Sequence, residues 1–413
     1  MGALGHMLDD RAASTDEWSL PPIDIGWVLA GQLSPEDWDA VEHARERLRE
    51  LFQALFPAFD WRMPMVHRRE MVRQHRVIPV AMLEAGALER EAAGWDYVFV
   101  VTEADLKGHY KPYLFGAPAQ AFSVALLSTS RLDPASMGVE ATSAERTEVM
   151  TRRLVSLAMH MFGHLNHMPH HPDRHDFMFN LHAVSDLDEM ENFSSSSISA
   201  LQKILARVAD VRLEEMKDYA RGSSLLFGLR VLVQEWREVL ASTVEIEPWK
   251  FPLRLSRLTT AAVSTVLISI NTAEAWDLGM TQSLLSVTLL SLVALFGASA
   301  FIIQRQRLLA HRDPRGLSEQ RVVSSISIVF AMLLGMATLY AWLFASTLVV
   351  AFLLFSPELI QGWAATIHQA PEVRHYIELA AFVASLGLII GAMGASFEDE
   401  DYIRHVAFVD EET

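Results

Sequence analysis

Residues 160–175 read HMFGHLNHMPHHPDRH and hold six of the chain's sixteen histidines. His160 and His164 are four apart, so on a helix both imidazoles leave the same face and can aim at one point. His170 follows six residues later, just after Pro169, a residue that helix interiors do not accept. A bend there brings a third imidazole back to the first two. Three imidazoles leave one position of a tetrahedral zinc ion open, the pattern of a catalytic rather than a structural site. The competing reading is a polar helix face whose histidines are satisfied by ordinary hydrogen bonds. His167, His171 and His175 suit solvated loop positions, with His167 and His171 as accessory ligands if any further imidazole joins. A further reading makes the cluster a metal-free loop that responds to pH, since imidazole titrates near neutrality.

The segments around this stretch read as a soluble α/β domain over residues 33–222. Ser34 and Pro35 open a helix whose apolar positions Val41, Leu48, Leu51 and Leu55 recur at helical spacing. A second helix is expected over 81–93. The runs 97–101 and 122–127 are short, β-branched and aromatic, as buried strands are. Thr142 and Glu145 have the spacing of a capping box, which starts the helix that carries His160 and His164. An amphipathic helix is expected from Ser197 through Leu201, Ile204, Leu205 and Val208 to Met216. Residues 1–32 are expected to be an N-terminal tail, loosest over 1–19. No apolar core follows a basic start there, so no cleavable signal peptide is expected.

Composition changes after Trp249. Long apolar runs at 258–276, 280–303, 322–355 and 376–397 can each span about 30 Å of hydrocarbon. About four helices are therefore expected over 257–398, preceded by a connecting helix over 223–256 and followed by an acidic tail over 399–413. The third run is over-long, so it must tilt, protrude or break near Trp342. Arg305, Arg307, Arg312, Arg315 and Arg321 lie between the second and third runs, whereas the first short loop is acidic at Glu274 and Asp277. By the positive-inside bias this expects an integral, multi-pass protein with its soluble domain and both termini in the cytoplasm. Gly387, Gly391 and Gly394 form a stripe that permits close helix contact, including assembly of a homo-oligomer through the transmembrane helices. Glycine is also simply common in membrane helices. The formal charge of −17 and the lack of a basic stripe exclude nucleic acid as an expected partner. Cysteine is absent, which rules out disulfides and thiolate zinc ligands.

The histidine stretch resembles the metzincin metallopeptidases, HExxHxxGxxH, and among them the archaemetzincins. The resemblance extends over roughly residues 65–205. It includes the strand–loop–strand segments at 101–106, 114–116 and 128–132, and Met178 at the distance of the family's methionine turn. It implies a zincin-like fold for the soluble domain, zinc as cofactor, and His160, His164 and His170 as ligands. The departures are equally specific. Met161 stands where the family carries its general-base glutamate, and His167 where it carries the glycine after the helix. His171, Asp176, Ser196 and Ser199 stand where four cysteines hold a second zinc, so that second site is expected to be empty.

An α/β zincin-like (metzincin) soluble domain plus an α-helical transmembrane bundle follows as the expected fold. The expected function is a membrane-anchored zinc-binding pseudopeptidase that binds peptide, a protein partner or metal. One alternative is an active zinc metallopeptidase with a substitute base: Asp176, Glu189 or Glu191, with His167 as a further candidate. The other alternative is a metal-free structural or sensing membrane protein.

Overall fold

Residues 22–30, PIDIGWVLA, were expected to be tail and instead form an inner strand of a sheet. In the computed structural model, which describes residues 20–72, 74–109, 111–138, 140–209, 233, 236–306, 308–309, 319–364, 366–367, 371–397, 404–405, 409 and 411, Pro22–Ala30 is strand β1. Ile23, Ile25, Trp27 and Leu29 enter the core on one face of the sheet, Val28 and Ala30 the core on the other. Burial on both faces makes the second half, Trp27–Ala30, a continuous apolar run, which cuts short the alternation that Ile23, Asp24, Ile25 and Gly26 begin. Residues 1–19 of the expected tail lie outside the described residues.

Asp60–Arg62 (β2) and Met65–Arg68 (β3) pair with one side of β1, and Tyr97–Thr102 (β5) pairs with the other. Val124–Ser128 (β8) continues the parallel sheet beyond β5, and Gly116–Ala119 (β7) ends it, antiparallel to β8. Arg76–Val77 (β4) and Asp105–Leu106 (β6) form a separate two-stranded ribbon. The strand expected at 122–127 starts later, because Gln120–Phe122 makes a 3-10 turn and Ser123 takes φ 51°.

Helices Pro35–Leu55 (α1) and Ser143–Leu165 (α3) cover one face of the sheet, and Pro79–Ala93 (α2) the other. Both caps expected from the sequence form. Ser34 Oγ accepts the Asp37 N–H, and Thr142 and Glu145 close a reciprocal capping box. Beyond α3 come the single turn Asp186–Glu189 (α4) and the amphipathic Ser195–Val208 (α5), capped by Ser194. The rest of the amphipathic helix expected to Met216 lies outside the described residues.

The connecting helix expected over 223–256 is described only as Trp236–Glu245 (α6). Glu247 then takes φ 50°, and Pro248–Arg254 folds into short turns. Ser256–Ile270 (α7) and Ala273–Met280 (α8) divide the first expected span, with Asn271 closing α7. Leu284–Arg305 (α9), Glu319–Leu354 (α10), the short Pro357–Trp363 (α11) and Val373–Ala395 (α12) follow. Among the described residues three helices are long and apolar enough to cross a membrane: α9, α10 over Ser325–Leu354, and α12. A fourth crossing exists only if α7 and the turn before it, bent by 78°, count as one span. α10 is unbroken at Trp342; its 36 residues make a rod about 54 Å long that outreaches the hydrocarbon.

The glycine stripe of α12 is used inside the chain. A Cβ on Gly391 would come within 2.9 Å of Ala262 Cβ and 3.0 Å of the Leu258 carbonyl oxygen, so α7 and α12 touch backbone to backbone. Of the acidic tail, His405 and Glu411 are buried. Glu411 accepts the backbone N–H groups of His109 and Lys111, and His405 Nε2 lies 2.6 Å from its carboxylate. Glu411 thus rests on the loop that follows β6.

Candidate metal centre

α3 carries two of the three candidate ligands, and its packing fixes their height above the sheet. Leu154, Leu157, Ala158 and Phe162 are buried against the sheet and α1, which leaves His160 and His164 on the face turned toward residues 170–178. His160 is fully buried and His164 is 6% exposed. Their Nε2 atoms are 3.2 Å apart. Two imidazoles bound to one tetrahedral zinc at about 2.0–2.1 Å place their nitrogens about 3.3–3.4 Å apart. The pair therefore stands at the separation that a shared ion requires.

The tautomer of His160 follows from its other nitrogen. Nδ1 lies 2.6 Å from the Phe177 carbonyl oxygen. A carbonyl only accepts, so Nδ1 donates and Nε2 presents its lone pair toward His164.

His170 depends on how α3 ends. The sequence left open whether the helix continues past His167 or turns there, and it turns. His167 takes φ 58°, its N–H bonds the His164 carbonyl at 3.0 Å, and the Met168 N–H bonds the Gly163 carbonyl at 3.0 Å. Together these two bonds make a Schellman closure with histidine where glycine is usual. The chain reverses, and the ligand atoms of His160, His164 and His170 all lie within 4.8 Å of one another. His170 is exposed, so the centre opens to solvent on its side.

Met178 packs on α3 at Gly163, between His160 and His164 in sequence. It is fully buried, and its Sδ occupies the space that a Cβ on Gly163 would need, 2.1 Å from the ideal position. Gly163, between the two helical ligands, thus allows the methionine turn to approach α3.

Met161, at the general-base position of the resemblance, is fully buried and points at β7, with its Cε 2.7 Å from where a Gly116 Cβ would be. Among the described residues no carboxylate joins the histidine cluster. Asp176 is 4% exposed and both its oxygens are committed, Oδ1 to the Met178 N–H and Oδ2 to the Ser194 N–H, each at 2.8 Å. It holds the turn to the start of α5. Glu189 lies 3.7 Å from Arg174, and Glu191 is exposed. Neither belongs to the cluster. The accessory ligands are likewise not brought in: His167 is exposed at the helix end, and His171 Nδ1 accepts the Asp173 N–H and lies 3.7 Å from Asp176.

Two positioning residues were not visible in the sequence. Asn166, 2% exposed, caps α3 and ties it to the sheet through a 2.7 Å bond from Tyr97 Oη. Gln120 Nε2 donates to the His164 carbonyl. Their partners lie 69 and 44 residues away, beyond any local pattern. A third contact clasps α4 to α3, where Arg152 and Arg153 bond Asp188. Burial pushes the Asp188 carboxyl up, but the hydrogen bonds from Arg153 and Arg152 outweigh it and hold the group below the ordinary aspartate value.

No family model and no curated protein matches this chain. Among solved structures, it is similar to an archaemetzincin from Methanopyrus kandleri, at 19% identity over 45% of this chain and 97% of that one, with a TM-score of 0.35. It is similar also to a zinc-dependent peptidase from Methanocorpusculum labreanum, at 17% identity over 43% of this chain and 99% of that one, with a TM-score of 0.34. An archaemetzincin from Archaeoglobus fulgidus, solved with malonate, is similar at 18% identity over 43% of this chain and 99% of that one, with a TM-score of 0.31.

Proposed function

We propose that this chain is a membrane-anchored metal-binding protein whose soluble domain holds zinc through His160, His164 and His170 and binds a peptide or protein segment without hydrolysing it. The observation that carries the reading is the pairing of a convergent triad with a buried thioether at the position of the base. Imidazole nitrogens suit zinc, and three of them leave one position for an oxygen ligand such as a carbonyl or carboxylate. Hydrolysis needs a group that moves a proton at that oxygen, a contribution of about 10²–10⁴-fold. Met161 cannot supply it, and both oxygens of Asp176 are held by backbone N–H groups.

The length and apolarity of α9, α10 and α12 support anchoring in a membrane. The contact of Glu411 with the backbone at His109 and Lys111 supports an even number of crossings, since it keeps the end of the chain beside the soluble domain. An even number requires α7 to count as the fourth. The arginines between the second and third runs support a cytoplasmic soluble domain.

Metal analysis of the full-length protein, paired with a peptide-library cleavage assay, tests this reading. Expected are about one zinc per chain, loss of that zinc in His160→Ala and His164→Ala, and no cleavage above a chelator-treated control. A wild-type chain without stoichiometric zinc overturns the metal half. Cleavage that disappears with chelator overturns the non-hydrolytic half.

A further inference from the structure

The 3-10 turn Gln120–Phe122, between β7 and β8, touches both the metal centre and the membrane bundle. At one end Gln120 Nε2 donates to the His164 carbonyl, which also accepts the His167 N–H. That carbonyl is among the last four of α3, which have no partner within the helix. Only the nitrogen of the amide can donate to it, so the orientation of Gln120 is fixed. At the other end Ala121 and Phe122 pack on the apolar cluster of the bundle, together with Ile78 and Val80 from the start of α2. α10, the longest helix of the bundle, packs directly on the same turn. One short element thus lies between a metal ligand and a membrane helix, with one hydrogen bond on one side and an apolar contact on the other.

We propose that this turn couples metal occupancy to the arrangement of the membrane bundle, with Gln120 as the positioning residue. The inference rests on the reading that the triad binds zinc. His160 is held from below by Phe177, whereas the last turn of α3, and with it His164, is held from the side by Gln120. Moving the turn therefore shifts one imidazole relative to the other and changes the 3.2 Å separation that the ion needs. Linkage makes the effect reciprocal: an ion that fixes His164 also fixes Gln120–Phe122 and the surface on which α10 rests. Groups that orient metal ligands from behind are typically worth about 10–100-fold in metal affinity.

The test uses the full-length protein in lipid nanodiscs, with zinc ion as the probe. Zinc affinity is measured by chelator competition, and hydrogen exchange is followed with and without zinc. In the wild type, zinc is expected to slow exchange in the peptides that cover 119–123 and in part of Glu319–Leu354. Gln120→Met keeps the length and removes the donor. It is expected to weaken zinc binding by about 10–100-fold and, at saturating zinc, to leave exchange in α10 unchanged by the metal. A residue that merely stabilises the fold would alter exchange equally with and without zinc. Wild-type protein that binds zinc with no change in α10 overturns the coupling alone, whatever the variant does. Wild-type protein that binds no zinc overturns both this inference and the reading beneath it.

Discussion

The Nδ1 of His160 donates to the carbonyl of Phe177, the residue just before Met178, over 2.6 Å. One hydrogen bond thus ties the histidine-bearing helix to the turn that carries Met178 and sets Nε2 as the imidazole nitrogen that faces His164. The same turn places Met178 Sδ against Gly163. Helix, turn and His160 are a single packed unit.

Ligand removal should separate the three members of the triad from their neighbours. His160→Ala and His164→Ala are expected to lower zinc affinity by at least about 100-fold, more than the loss of a residue that only orients a ligand. His170→Ala should do so as well, and with little effect on folding, because His170 is exposed. His167→Ala and His171→Ala should leave zinc stoichiometry unchanged. Metal analysis after desalting reads all five.

Gly163→Ala should destabilise the soluble part by about 1–3 kcal/mol, since the new methyl must displace Met178 Sδ. Met178→Ala removes the obstacle but leaves a cavity. The double variant is therefore expected to be less destabilised than the sum of the two single ones. Denaturant midpoints of all four proteins measure this non-additivity; strict additivity would contradict the contact.

His167→Gly should stabilise the chain by about 0.5–1 kcal/mol, because a non-glycine residue in the left-handed region costs about 1–2 kcal/mol and glycine returns part of that gain as backbone entropy. Zinc affinity should hold or rise slightly. An increase in denaturation midpoint checks it. A decrease would mean that the imidazole makes contacts worth more than the relief of its backbone.

Asp188 gives a prediction in pH. Its carboxyl is lowered in the folded protein despite burial, owing to Arg153 and Arg152. A lowered folded value contributes stability above the unfolded value of about 3.9, and that contribution is lost as pH falls through the lower folded value. Between about pH 5 and 8 the clasp between α3 and α4 should therefore be insensitive to pH. Below about pH 4, wild type should lose stability more steeply than Asp188→Asn, which has no charge to lose. Parallel acid titrations of unfolding read the difference.

Met161→Ala should cost about 2–4 kcal/mol, as a large-to-small change in a closed core does. It should leave zinc content at the wild-type level, since Met161 faces Gly116. Loss of zinc would place Met161 in the metal centre.

What the sequence revealed was local in the chain. His160, His164 and Pro169 act through spacings that one helix and one turn enforce, and the caps at Ser34 and Thr142 are equally short-range. What it hid was long-range or symmetric. In β1 only Ile23, Ile25 and Trp27 alternate with Asp24 and Gly26, and the strand then runs on as the unbroken apolar Trp27–Ala30, buried on both faces, a stretch too short and mixed to stand out beside the preceding residues. Asn166 and Gln120 act on partners that only the fold brings near. The run 258–276 is apolar enough for one span, yet Asn271 and Thr272 turn their side chains back on the Leu267 and Ile268 carbonyls and end α7 early. The glycine stripe was visible, but whether it meets α7 or a second chain is a matter of packing.

X-ray absorption at the zinc edge of the full-length, zinc-loaded protein tests the central claim most directly. The expected spectrum is that of three imidazole nitrogens at about 2.0–2.1 Å with one further light ligand, changed in His164→Ala and unchanged in His167→Ala. A wild-type protein that retains no zinc, or a spectrum indifferent to His164→Ala, would contradict it.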